Sequence, residues 1–158
     1  MAKSRVREWF VFLSLAAYLT LLVAVTMSPT PIDQGYESAV DKVLAVLHRN
    51  GEPEWFGSSK LEFSANIAMF IPVGFLSALA MPARLWWIAL FIGPALSGAI
   101  ETTQGALLEA RLSTRSDVIA NSPGALIGII GALILRALVH HRDQIVIADA
   151  LWNSGIRA

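Results

Sequence analysis

The chain has 158 residues, of which 55% are hydrophobic and 15% charged, with a mean hydropathy of +0.58. Such a balance excludes an ordinary soluble globular domain and makes the bilayer the expected solvent. Twelve basic residues offset twelve acidic ones, which leaves no basic surface for nucleic acid, and the absence of cysteine excludes disulfides, thiolate ligands and a cysteine nucleophile.

Lys3, Arg5 and Arg7 precede an apolar run over 9–27, about the roughly 20 residues that a spanning helix needs. A cleaved secretory signal has a shorter apolar region, about 7 to 15 residues, ending in a small-x-small site. Ala24-Val25-Thr26 fits that poorly, so the run reads as a retained first span. Pro29 and Pro31 stop it and open an extracytoplasmic loop, 28–62. Within the loop, Tyr36, Val40, Val43, Leu44 and Leu47 fall on one helical face before Asn50-Gly51, predicting a short amphipathic helix. Trp55 and Phe56 suit headgroup depth.

Further spans are predicted over 63–80, 85–105 and 118–138, followed by a cytoplasmic tail, 139–158. Only Met81 to Arg84 separates the second span from the third, so the expected fold is all-α: one polytopic membrane domain, 1–158, of four helices running up-down-up-down. Lys3, Arg5, Arg7, Arg84, Arg136 and Arg142 bias both termini to the cytoplasmic side. His140 and His141 are adjacent, point to different helix faces and lack a third ligand, so they read as a solvated juxtamembrane turn. No metal or other cofactor is expected.

The polar residues within the spans collect at one end. Glu62 and Asn66 share a face continued by Phe70, Gly74 and Ala78; Gly93, Ser97, Glu101 and Gly105 form a second ladder, with Gln104 one turn from Glu101. Asp117, Asn121, Gly124, Gly128 and Ala132 form a third, in which small residues extend the polar face inward. Acids and amides are costly in hydrocarbon and face the bundle interior, pair, or line a wet cavity. Asn66, Gln104 and Asn121 are equally suited to plain interhelical hydrogen bonds, and Asp117 to an N-cap. Glu101, mid-helix, has no capping duty and needs Arg111, Arg115 or a proton, which makes it the strongest functional candidate.

Asn66-Ile67-Ala68-Met69-Phe70-Ile71-Pro72-Val73-Gly74-Phe75, then Ser97, Glu101 and Gln104, then Arg111, Asp117, Asn121, Gly124 and Gly128, resemble in order and spacing the VanZ-like family, from about Pro29 to Leu138. Ser122-Pro123 departs from the threonine and apolar residue expected there. The resemblance implies a bacterial cytoplasmic-membrane protein, in a family whose founding member is associated with resistance to the lipoglycopeptide teicoplanin. Fold alone does not transfer that function.

Three mechanisms fit. In the first, Asn66, Glu101, Gln104, Arg111, Asp117 and Asn121 bind an amphipathic envelope molecule, a lipid-linked wall precursor or a lipoglycopeptide, at the outer leaflet. There Arg111 and Arg115 meet an anion, the two acids hold the guanidinium groups, and the amides supply neutral hydrogen bonds. In the second, Glu101 and Asp117 are the acid and base of an intramembrane hydrolase or transferase. This enzymatic reading carries less weight, because no nucleophile-base pair, phosphate-binding glycine loop or histidine-rich signature accompanies them. In the third, small-residue stripes make the chain a structural or partner-binding scaffold. Membrane lipids are the expected surroundings in all three, and the oligomeric state is left open.

Overall fold

The computed structural model describes residues 5–27, 46, 49, 58–107 and 116–155. Four helices account for nearly all of them: α1 (Arg5–Thr26), α2 (Ser58–Ala80), α3 (Ala89–Leu107), preceded by a 3-10 turn over Ala83–Ile88, and α4 (Ser116–Asn153). Each is long and apolar enough to cross a membrane, with candidate spans Val6–Thr26, Phe63–Ala80, Ala83–Ala106 and Ala120–Asn153. The fold is the expected all-α membrane bundle. Of the amphipathic helix expected over 36–50, only Val46 and Arg49 are described, both helical; the rest lies outside the described residues.

Two boundaries differ from expectation. The third span starts as a 3-10 turn, with the Leu85 amide donating to the Pro82 carbonyl at 2.8 Å. Met81 and Pro82 alone link the two helices, and so short a link draws the next turn into i→i+3 bonds. The fourth helix does not give way to a tail at Leu138 but runs on through His140 and His141 to Asn153. Its 38 residues span about 57 Å, well beyond a hydrocarbon core of about 30 Å. The polarity of 140–144 changes the solvent around the helix and not its conformation, since neither glycine nor proline occurs between Leu138 and Gly155. Gly155, at φ +70°, then closes the helix, its amide donating to the Trp152 carbonyl at 3.2 Å.

The central contact is between α2 and α4, which run parallel. A Cβ at Gly124 would lie 2.2 Å from the Ile67 carbonyl oxygen, one at Gly128 2.0 Å from that of Ile71, and one at Gly74 1.9 Å from that of Ala125. The two backbones therefore touch directly, and the hydrogens on these glycines point at carbonyl oxygens of the facing helix, the small-xxx-small geometry of membrane helix pairs. On one side Leu22, Phe70, Val73 and Ile100 join α1, α2 and α3; on the other, Ala78, Ala89, Ile129 and Ala132 join α2, α3 and α4. Phe10, Phe12, Leu21, Phe91, Ile127 and Ile134 stand exposed around the bundle, a distribution matched to hydrocarbon and not to water.

Proline interrupts the amide series inside α2 (Pro72), α3 (Pro94) and α4 (Pro123). In α2 the Tyr18 hydroxyl of α1 donates to the Met69 carbonyl at 2.8 Å, next to the Ala68 carbonyl that Pro72 has no N–H to serve. Pro123 points outward and Asn121 stays buried, so the departure from the family pattern leaves the inner face of α4 intact.

Candidate functional site

The helices meet at two ends of different chemistry. At one, here the polar end, α1 and α3 finish while α2 and α4 begin. The other, the arginine end, holds the start of α1, the α2–α3 link and Arg136 of α4.

The register of α3 on α4 defines the polar end. A Cβ at Gly93 would meet the Ala125 Cβ at 2.5 Å, and one turn on, the Asn121 amide Nδ2 donates to the Ser97 hydroxyl at 2.8 Å. The helices are antiparallel, so one further turn brings Glu101 level with Asp117 in backbone register. α4 is described from Ser116, so the backbone of Asp117 is helical.

Asn121 is 7% exposed and Ser97 1%, so their bond is shielded from solvent. It uses only the nitrogen of the amide. Asn121 Oδ1 and Glu101 Oε1 are both buried and have no hydrogen-bond partner among the described residues. Two acceptors on facing helices, about one turn apart, are thus left without donors among the described residues. Leaving a buried acceptor unmet costs about 1–3 kcal/mol, more when it is charged.

Gln104 does something different. Its side-chain amide donates to the Thr26 carbonyl at 2.8 Å, meeting one of the acceptors that the end of α1 leaves open and tying α1 to α3. Asn66, on α2, is partly buried and engaged in a polar interaction. Arg111 and Arg115 lie outside the described residues. Among those described, no group of three or more His, Asp or Glu side chains is placed to hold a metal. Of the residues singled out in the sequence, the described side chains therefore place Glu101 and Asn121 together, through Ser97, and assign Gln104 to the end of α1.

A family model described as VanZ/LLP1 matches residues 11–136, from within α1 to the arginine end of α4. The chain belongs to the VanZ/LLP1 family. The match takes in the first span as well as the ladders on α2, α3 and α4, so the Tyr18 and Thr26 contacts fall inside the VanZ/LLP1 region along with Glu101 and Asn121. No curated protein and no solved structure matches the chain.

Four polar residues have roles that the sequence does not assign. Ser97, a step in the α3 ladder and part of the family pattern, fixes the Asn121 side chain. Tyr18 and Thr26 lie in an apolar run where no periodic signal marks them, and only the tertiary contact reveals their roles. Arg136 entered only as a topology marker. Its Nη2 donates to the Leu79 carbonyl at 3.1 Å and to the Met81 carbonyl, closing the end of α2. An arginine one turn inside a predicted span was the available signal.

Proposed function

We propose that this VanZ/LLP1 membrane protein binds an amphipathic envelope molecule, a lipid-linked wall precursor or a lipoglycopeptide such as teicoplanin, at the polar end, with that end outside and both termini in the cytoplasm. The observation that carries the reading is the pair of buried acceptors, Glu101 Oε1 and Asn121 Oδ1, that have no partner among the described residues. Simple interhelical bonding accounts for Gln104 and for the nitrogen of Asn121, but it leaves these two oxygens unexplained. Acceptors select a donor, so the part of the ligand recognised here carries hydroxyl or ammonium groups. Phosphate is served instead by Arg111 and Arg115, between α3 and α4 in the sequence. The acyl or prenyl chain lies along the apolar outer faces of the helices.

Catalysis by Glu101 and Asp117 has one supporting feature, their common level in the α3–α4 register. It lacks a nucleophile-base pair among the described residues, the Ser97 hydroxyl being bonded to the Asn121 amide instead, so binding is the better-supported function. The test is susceptibility to teicoplanin and vancomycin in a sensitive host carrying the wild type, Glu101→Gln or Arg111→Ala at matched membrane abundance. A teicoplanin-selective shift that both variants lose supports the site, whereas an unchanged shift in both removes it. Orientation is checked separately in this cysteine-free chain: a cysteine at Ser58 should react with an impermeant thiol reagent and one at Ala83 should not, and the reverse pattern would invert the topology.

A further inference from the structure

The arginine end has a charge arrangement that the polar-end function does not use. Arg136 is held by the carbonyl oxygens of Leu79 in α2 and Met81 just beyond it, which are dipoles and not counter-charges, and its Nη1 is buried with no partner among the described residues. Helix register brings a second guanidinium to the same level. Tyr18 meets Met69, and α1 runs antiparallel to α2. Three turns back along α1 and three turns forward along α2 therefore place Arg7 level with Ala80, between the two residues whose carbonyls Arg136 grips. Arg7 is near enough for its charge to act on Arg136. A third, Arg84, stands exposed in the turn that follows Met81.

The acidic residues of this end are outnumbered, Glu8 and Asp143 standing against Arg7, Arg84, Arg136 and Arg142. Glu8 neighbours Arg7 but points about 100° away around α1, is exposed, and takes part in an interaction. Asp143 lies two turns beyond Arg136 along α4, about 10 Å away. Like charges gathered at the edge of a low-dielectric region repel unless an anion joins them.

We propose that Arg7 and Arg84, backed by the fixed charge of Arg136, form a binding site for the phosphate of an anionic phospholipid at the arginine end of the bundle. Arg7 and Arg84 reach the phosphate oxygens from opposite sides as paired N–H donors. Arg136 makes no direct contact and contributes its field from behind, while keeping α2 closed. The site is independent of the polar-end ligand and of which membrane face the arginine end occupies.

The test uses the full chain in nanodiscs of phosphatidylcholine alone or of phosphatidylcholine with phosphatidylglycerol, read by thermal unfolding and by native mass spectrometry of retained lipid. Inorganic phosphate is added in a separate arm to protein in a neutral detergent. Phosphatidylglycerol should raise the unfolding temperature and remain bound, with Arg7→Gln and Arg84→Gln each lowering retention about five-fold and Arg142→Gln, further out on α4, lowering it little. Stabilisation by inorganic phosphate in detergent would show that the site accepts the free anion as well as the lipid; its absence would assign the site to the lipid. Equal stability and retention in the two nanodiscs, or retention that falls as much with Arg142→Gln as with Arg7→Gln and Arg84→Gln, would overturn the proposal.

Discussion

Gly128→Ala should be among the most damaging single-carbon additions in this protein. The new methyl would sit 2.0 Å from the Ile71 carbonyl oxygen and 2.6 Å from the Phe75 amide nitrogen. Both atoms are helix backbone, so no side chain can rotate away. Restoring an ordinary contact of about 3.4 Å requires α2 and α4 to separate by more than 1 Å, a gap that forfeits a quarter to a half of each dispersion contact across the seam. The weak Cα–H···O contacts at Gly124 and Gly128, about 0.5–1 kcal/mol each, go with it. Together with the usual overpacking cost of about 1–3 kcal/mol, this predicts a loss of about 2–4 kcal/mol. Gly98 and Gly105 provide the control: a Cβ at either meets nothing within 4 Å, so alanine there should be neutral or stabilising by up to about 1 kcal/mol. Equilibrium unfolding in a mild detergent, with all three variants measured together, gives the comparison. If Gly128→Ala lies within about 0.5 kcal/mol of wild type, the backbone contact between α2 and α4 is wrong.

Arg136→Gln should lower stability by about 1–3 kcal/mol, since it frees the Leu79 and Met81 carbonyls at the end of α2; the same detergent unfolding would refute the capping role if Arg136→Gln and Arg142→Gln behaved alike. Tyr18→Phe removes one hydrogen bond while keeping the ring, and should cost about 0.6 kcal/mol and at most about 2. Ser97→Ala should cost somewhat more, about 1–3 kcal/mol, because it strands the buried Asn121 nitrogen as well. A Ser97→Ala protein as stable as wild type would mean that the Asn121 amide is satisfied elsewhere.

The helices were legible because their signals are local. Apolar runs of spanning length marked four of them, and the i+4 ladders of glycine, alanine and serine marked the faces that turn inward: Phe70, Gly74 and Ala78 on α2, and Asn121, Gly124, Gly128 and Ala132 on α4, are all buried. What the ladders do not carry is the offset between helices. That Gly124 meets Ile67, that Gly93 meets Ala125, and hence that Glu101 comes level with Asp117, depends on how the helices slide past one another. The same limit explains Gln104, whose periodicity grouped it with Glu101, although its amide reaches the end of α1 instead. Hydropathy also overstated the break at Leu138: a change from apolar to polar residues reports a change of solvent, while the helix continues until a residue that suits positive φ, Gly155, arrives.

We propose that the polar-end acceptors, which have no partner among the described residues, bind the donor groups of an envelope lipid. The most direct test is retention of a purified lipid-linked wall precursor by the protein in phosphatidylcholine nanodiscs, comparing the wild type with Glu101→Gln at matched thermal stability. Losing the partner of a buried hydrogen-bonding group costs about 1–3 kcal/mol, so the wild type should hold the precursor about five-fold or more tightly than Glu101→Gln. Equal retention by the two proteins, or none by a folded wild type, would contradict the account.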